Sequence, residues 1–191
     1  MDVNSIDADM VAGGYMYKLP IRQPDRFAGQ RMAEIYSVSS CISPDFCNNW
    51  IEAWQHNGYW LFNSPEPMDN IAHGENIDLA PMTLFFYTLY CWQWRDDEKR
   101  WQRFSADPAF ETEVILPDAC RLQGYDVVSF FAGNSAECSP LSCNGLAEQL
   151  TVNAHCLFDS LQQAKHAIEN GDFDHSEPGP WRIFAVYSVE R

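Results

Sequence analysis

Hydrophobic positions along this chain fall mostly into short blocks with the length and composition of β-strands. Residues 15–19 alternate between apolar and polar positions, and residues 84–94 are rich in aromatic side chains, which strands favour. A charged segment at 95–100 separates residues 84–94 from the alternating residues 101–104, and this arrangement predicts a β-hairpin. The pattern predicts further strands at 35–38, 59–62, 114–116, 124–131 and 181–189.

Helical periodicity is clearest after Ser43. A serine can cap a helix N-terminus, and Pro44 suits the first helical position because it has no N–H to leave unpaired. Asn57-Gly58 ends the segment, since glycine tolerates the left-handed conformation of a helix cap. Between these limits the apolar residues recur at helical spacing, namely Phe46, Cys47, Trp50, Ile51 and Trp54.

Two further helices are predicted in the C-terminal half. Ser139-Pro140 opens a short helix towards Leu150, and Asp159 with Gln162 has the spacing of a capping box. Residues 63–80, which contain Pro65 and Pro67, are predicted to form a long loop.

These elements predict an α+β protein with a largely antiparallel sheet of about six strands and three or four helices. Strands and helices do not alternate regularly, which argues against a doubly wound parallel sheet. Residues 1–14 are polar and end in Gly13-Gly14, so we expect a flexible N-terminus. We expect one domain over residues 15–191, because no Gly/Ser-rich linker divides them.

Composition narrows the class of protein. Apolar residues make up 46% of the chain and aromatic residues 14%, which excludes a disordered chain. The first ten residues carry three Asp and no base, unlike a secretory signal. Seven cysteines, an odd number, argue against a secreted disulfide scaffold. We therefore expect a cytoplasmic protein that does not bind membranes.

The net charge indicates which kinds of partner this protein could bind. The 191 residues include 27 acids and 12 bases, a formal charge of −15, which argues against direct binding to nucleic acid. No Lys or Arg occurs from Met32 to Trp94, where there are seven acids. One interpretation is solubility alone. The other is an acidic face that binds a basic protein, with aromatic residues as anchors. The candidate partner-binding residues are Glu52, Trp54, Tyr59, Glu66, Asp69, Glu75 and Asp78.

Candidate chemistry is concentrated in the segment from Glu137 to Gly145. Cys138 precedes a predicted helix start, where a thiolate is stabilised. With His155 and an acid, Asp159 or Glu137, it would form a catalytic cysteine site. A metal site from Cys138, Cys143, His155 and Cys156 is a weaker alternative, because the C-x4-C spacing is unusual for zinc. Cysteines that simply pack inward around a capped helix are the favoured interpretation.

Common nucleotide-binding and hydrolase motifs are missing. The sequence has no G-x-x-x-x-G-K-[ST], G-x-G-x-x-G, H-E-x-x-H or G-x-S-x-G and no EF-hand loop. We therefore expect no cofactor and no metal, and we lean against an enzyme.

Four short segments in the C-terminal third carry a resemblance to a known family. They are residues 124–128, 137–144, 153–159 and 177–180. Through these segments the region from 124 to 189 resembles an uncharacterised bacterial protein family. The resemblance implies a bacterial origin and no particular activity.

The leading hypothesis is an acidic, intracellular, inhibitor- or immunity-like protein that binds a basic protein partner. The alternative is a small cysteine-dependent enzyme that uses Cys138 and His155.

Overall fold

The computed structural model describes residues 8–22, 32–46, 57–105, 113–131 and 136–190. They form an α+β fold of eight strands and three α-helices, with a short 3-10 turn at Leu146–Glu148. In chain order the elements are β1 (Met10–Lys18), β2 (Ile21–Arg22), β3 (Glu34–Ile35), α1 (Pro65–Glu75), β4 (Thr83–Tyr90), β5 (Trp92–Arg95), β6 (Arg100–Arg103), β7 (Cys120–Ser129), α2 (Pro140–Cys143), α3 (Leu161–Glu169) and β8 (Trp181–Val189).

Strand β8 lies at the centre of a six-stranded antiparallel sheet. It pairs with β7 along one edge and with β4 along the other. β5 follows β4 in the chain and pairs with β8 where Trp94 lies opposite Trp181. β1 pairs with β4. The predicted strand over residues 84–94 is divided into β4 and β5, and only β5 forms the predicted hairpin with β6. A separate two-stranded ladder joins β2 and β3. The predicted largely antiparallel α+β fold is confirmed.

The sheet register separates two faces. Asp126 pairs with Phe184, and Phe184 pairs with Leu89, so these three side chains point to one face. Val127 and Ile183 pair with each other and point to the opposite face. Helix α3 covers this second face through its buried side chains, Ala164, Ala167 and Ile168. The first face is therefore covered by other segments, and Asp126 is buried beneath them.

The outer edge of β1 is covered by two connecting segments. The Tyr15 N–H donates to the Phe62 carbonyl (2.7 Å), and the Leu19 N–H donates to the Pro44 carbonyl (3.0 Å). The Phe46 N–H donates to the Tyr17 carbonyl (3.1 Å). Such contacts satisfy backbone groups that an open edge would expose.

The same contacts correct the predicted start of a helix at Ser43. Residues 44–46 pair with the end of β1 in an extended bridge between Asp45 and Lys18. The Ser43 hydroxyl donates to the Ile35 carbonyl at 3.0 Å and does not cap a helix. The rest of that predicted helix, residues 47–56, lies outside the described residues.

Helix α1 lies where a long loop was predicted. Ser64 is its N-cap, and Pro65 and Pro67 fall in the first turn, where a missing N–H removes no helical hydrogen bond. Met68 and Ala72, four residues apart, are buried against the core. Ser64-Pro65 is a pattern typical of a helix start. Two prolines close together are also typical of a loop, and for that reason the sequence pattern predicts a loop.

Other boundaries also differ from the predictions. β1 begins at Met10, so residues 10–14 belong to the sheet and not to a flexible terminus, while residues 1–7 lie outside the described part. Residues 114–116 are not in a strand. The N-cap of α3 is Ser160, whose hydroxyl accepts from the Gln163 N–H, and not Asp159. β8 spans the predicted residues 181–189.

Within the described ranges, none of the helices has the length and apolar character needed to cross a bilayer.

Candidate functional site

Four acidic residues lie on α1 and the turn that follows it. Glu66, Glu75 and Asp78 are exposed, and Asp69 is half-buried where it accepts a hydrogen bond from the Tyr17 hydroxyl (3.0 Å). Asp78 accepts from the Ala80 N–H (2.9 Å). Glu66 and Glu75 make no hydrogen bond or ion pair with any described residue. Two carboxylates on this helix thus have charge that no described base neutralises.

Two large apolar side chains are exposed close to the start of α1. Ile115 is 61% exposed and Leu116 is 41% exposed. The Ile115 N–H donates to the Asn63 carbonyl (3.0 Å), one residue before the N-cap of α1. The Tyr15 hydroxyl donates to the Ile115 carbonyl (2.6 Å). The backbone is therefore fixed while both side chains remain in solvent. We call Glu66, Asp69, Glu75, Asp78, Ile115 and Leu116 the α1 surface.

The other predicted partner-binding residues lie outside the α1 surface or outside the described residues. Tyr59 is half-buried, and its ring centroid is 6.0 Å from that of Phe104. Burial raises the pKa of Tyr59, which agrees with a packing role for its ring. Glu52 and Trp54 lie outside the described residues.

Three cysteines from separate parts of the chain lie close together beside the edge of β7. Cys41 lies in the loop that precedes Ser43, Cys138 lies beside β7, and Cys143 is the last residue of α2. The Ser129 N–H donates to the Cys138 carbonyl (2.8 Å) and the Glu137 N–H donates to the Ser129 carbonyl (3.0 Å), which fixes Cys138 at the edge of β7. We call Cys41, Cys138 and Cys143 the thiol cluster.

Cys143 lies at the centre of the thiol cluster. Its Sγ is 3.4 Å from the Ser39 hydroxyl oxygen and also accepts hydrogen bonds from the thiols of Cys138 and Cys41. The Cys138 thiol is within reach of a second acceptor, Asn144 Oδ1, at 3.1 Å. Cys41 Sγ lies 3.3 Å from the Glu137 carbonyl oxygen. Cys143 is thus the sulfur that the surrounding donors favour as a thiolate.

The pKa values within the cluster shift in opposite directions. Hydrogen bonds from Cys138, from Ser39 and from the Ser139 N–H lower the pKa of the Cys143 thiol, although burial opposes them. The contact with Cys143, together with burial, raises the pKa of the Cys138 thiol. Burial also raises the pKa of Cys41. The cluster therefore favours one thiolate with two protonated neighbours.

A buried carboxyl group connects this cluster to the sheet. Asp126 is 1% exposed, and its Oδ2 accepts from the Ser139 hydroxyl (2.6 Å) and from the Val38 N–H (2.9 Å). Burial raises its pKa from 3.8 to about 7, although both hydrogen bonds oppose the shift. Asp126 thus fixes α2 and the 36–46 loop, which carry Cys143 and Cys41.

Lys18 provides the nearest buried positive charge. It is 1% exposed, and its Nζ donates to the Val38 carbonyl (2.6 Å) and pairs with Asp45 at 2.6 Å. Because Lys18 is at the end of β1, this ion pair fastens the 36–46 loop to the sheet.

The predicted catalytic residues do not share a contact in the described part of the structure. His155 Nδ1 lies 3.2 Å from the Glu34 carbonyl oxygen, and its ring stacks on Tyr36 at a centroid distance of 4.1 Å. Cys138 contacts Asn144 and Cys143. The Asp159 side chain is exposed, and its N–H donates to Gln163 Oε1 (3.0 Å). Pairing of Cys138 with His155 therefore has no hydrogen bond to support it.

Cys156 belongs to the apolar core. It is 1% exposed, and burial raises its pKa. Across the described ranges, no three or more His, Cys, Asp and Glu side chains converge in a way that could hold a metal ion.

Sequence reasoning missed the central role of Cys143, although the signal was present. Ser139 is the N-cap of α2 and Pro140 its first residue, which places Cys138 one residue before the cap and Cys143 at the fourth helical position. Side chains at these two positions pack together around a helix start. The C-x4-C spacing was therefore a contact signal between two thiols.

No family model, curated protein or solved structure matches this chain, so the resemblance to a bacterial family stays a prediction.

Proposed function

We propose that this protein binds a basic protein partner through the α1 surface, in the manner of an inhibitor or immunity protein. The observation that carries the proposal is the exposure of Ile115 and Leu116 beside an acidic helix. Single exposed apolar residues are common on protein surfaces, but neighbouring ones rimmed by polar residues are typical of interaction sites. Protein interfaces combine such an apolar centre with a charged rim.

The charge of the α1 surface determines the kind of partner. No Lys or Arg occurs between residues 32 and 94, so α1 has no lysine or arginine of its own to offset its acids. Glu113 and Asp118 add two exposed acids on either side of Ile115 and Leu116. An acidic rim attracts a basic protein over long range and repels acidic ones. The net charge of −15 disfavours a second copy of this chain as the partner. The same field argues against nucleic acid as a direct partner.

We further propose a cytoplasmic location. The chain has seven cysteines, and an odd number argues against the fully paired disulfide framework of a secreted protein.

The alternative function, a small cysteine-dependent enzyme using Cys138 and His155, has less support. A nucleophile and its base normally lie within hydrogen-bonding distance, and these two side chains contact different residues.

Affinity capture with matched charge variants tests the binding proposal. The full chain is immobilised and exposed at low and then at high salt to a lysate of the organism that makes it. One variant carries Glu66→Lys and Glu75→Lys, and another carries Ile115→Ser and Leu116→Ser. A control carries Glu148→Lys and Asp172→Lys, which changes net charge equally at exposed positions outside the α1 surface.

The proposal expects one basic protein to bind the wild type and the control, and to be released at high salt. Both α1-surface variants should lose at least about tenfold in affinity. The acidic residues attract the basic partner, and the apolar side chains anchor it once it is bound. Equal capture by all four proteins would mean that binding does not involve the α1 surface. That result, or no basic protein at low salt, would refute the proposal.

A further inference from the structure

We propose that Cys143 and Cys138 form a two-thiol site that hydrogen peroxide or another small peroxide oxidises to a disulfide. This inference does not depend on the proposed binding function. It assigns a modification site to the thiol cluster, with Cys143 as the attacking sulfur and Cys138 as the resolving one.

The two sulfurs are held in contact by the start of α2. Cys138 lies before the N-cap Ser139, and Cys143 lies in the turn above it. Backbone bonds to Ser129 fix Cys138, and the Cys143 N–H donates to the Ser139 carbonyl (2.8 Å). The side chains therefore meet without rearrangement of the sheet, and a thiol-to-thiol hydrogen bond already joins them.

Three donors around Cys143 make it the attacking group. They are the Ser39 hydroxyl, the Ser139 N–H and the Cys41 thiol. Cys143 is half-buried, whereas Cys138 is 7% exposed. A small oxidant can thus reach Cys143 more readily than Cys138, the sulfur that must react second. The direction of the two pKa shifts agrees with this division of roles.

Cys41 is the competing partner, because it also contacts Cys143. Its side chain is exposed and lies in the 36–46 loop, so its bridge to Cys143 would join distant parts of the chain. Cys138 is favoured because the start of α2 and the backbone bonds to Ser129 hold it beside Cys143, whereas the Cys41 thiol lies 3.3 Å from the Glu137 carbonyl oxygen.

The chemistry has two steps. The Cys143 thiolate attacks one peroxide oxygen, an S–O bond forms, the O–O bond breaks, and the leaving hydroxide takes up a proton to become water. The Cys138 sulfur then attacks the Cys143 sulfenic acid as its own proton leaves. An S–S bond forms and the S–O bond breaks, and the released hydroxide takes that proton. Two thiols are oxidised by two electrons, and one hydrogen peroxide becomes two waters.

Peptide mapping of the intact chain tests this site. The reduced protein is treated with hydrogen peroxide, its remaining thiols are blocked, and it is cleaved after Glu. Cleavage at Glu137 and Glu148 releases residues 138–148, which contain both cysteines. We expect this peptide to lose two hydrogen atoms in mass and to regain them, with two blocked thiols, after treatment with dithiothreitol. A peptide with both thiols blocked directly after peroxide would overturn the proposal, as would a cross-link between Cys41 and Cys143.

Serine variants assign the roles. Cys143→Ser should abolish the reaction, and Cys138→Ser should leave a sulfenic acid on Cys143 that dimedone traps. Cys41→Ser is the matched control and should still form the bridge. At pH 6 we expect iodoacetamide to modify Cys143 at least about tenfold faster than Cys41. Equal rates, or loss of the bridge in Cys41→Ser alone, would contradict the assignment. If Cys138→Ser fails to fold, the wild-type map decides the question.

Discussion

Asp126 is a residue whose role depends on its surroundings. In the sequence it is one of the chain's 27 acids, and it lies within a predicted strand. In the fold it points to the face of β7 opposite α3, where Ser139 and Val38 donate to it and Lys18 lies nearby. Its pKa near 7 reflects the cost of an ionised carboxylate in the interior.

This pKa predicts that Asp126 destabilises the fold as pH rises. The unfolded chain ionises Asp near pH 4, whereas the folded protein keeps the proton up to about pH 7. The stabilising contribution is therefore complete below pH 4 and is lost as pH rises to 7, a change of roughly 4 kcal/mol. Urea unfolding of the wild type and of Asp126→Asn at pH 4.5 and 7.5 measures it.

The asparagine variant provides the control, because its amide oxygen can accept the same two hydrogen bonds but does not ionise. Its free energy of unfolding should fall less than that of the wild type between the two pH values. Parallel pH profiles for both proteins would contradict a raised Asp126 pKa.

Among the elements, α1 and α3 show two ways to begin a helix. Both have a serine N-cap in extended conformation. Ser160 accepts a hydrogen bond from the Gln163 N–H (3.2 Å), while Ser64 makes no side-chain cap bond. In α1, Pro67 occupies the third helical position and has no N–H to donate to a serine cap. The two helices therefore depend differently on their caps.

We expect Ser160→Ala to destabilise the protein by about 1 kcal/mol, because the Gln163 N–H loses its acceptor. Ser64→Ala should change stability by no more than about 0.5 kcal/mol, because no cap bond is lost. Chemical denaturation of both variants and the wild type compares the two caps directly. An equal loss in the two variants would show that the cap hydrogen bond is not the source of the difference.

For the whole molecule, net charge sets the response to salt. The exposed ion pairs of the β5–β6 turn, such as Lys99 with Asp96 and Asp174, contribute little because they are solvated. The charge of −15 acts on the entire folded chain and favours expansion. Added salt should therefore weaken the repulsion between the acidic residues more than it weakens the attraction within the ion pairs.

We accordingly expect the melting temperature to rise by about 3 °C when ionic strength increases from about 0.01 M to about 0.15 M. Scanning calorimetry at the two ionic strengths measures this rise. A variant carrying Glu113→Gln, Glu148→Gln and Asp172→Asn, all at exposed positions, should show a smaller rise because it has less charge to screen. A fall with salt in the wild type would mean that the ion pairs outweigh the net repulsion.

Local pattern was sufficient for much of the architecture. The aromatic run and charged turn predicted the β5–β6 hairpin, and the residues of β8 were predicted in full. Strand propensity and turn chemistry act over a few neighbouring residues, so one sequence shows them. Capping rules also predicted α2 at Ser139-Pro140, but its end at Cys143 instead of near Leu150 was not visible locally.

The predictions were wrong where contacts between residues far apart in the sequence determine the structure. Residues 44–46 have a good helix-start pattern, yet pairing with Tyr17 and Lys18 holds them extended. The acids of residues 66–78 were recognised as an acidic tract, but only the described contact between Asn63 and Ile115 brings two exposed apolar residues beside them.

The sequence by itself determined the acidic charge, the α+β class and the presence of cysteines around a helix start. Those properties depend on composition and on neighbours within a few positions. The tertiary structure decided that Cys41 lies beside Cys138 and Cys143. It also decided that His155 contacts Glu34 and Tyr36, and that the Asp126 side chain is buried. These contacts join residues many positions apart, and the order of strands in the sheet, which no local pattern encodes, brings them together.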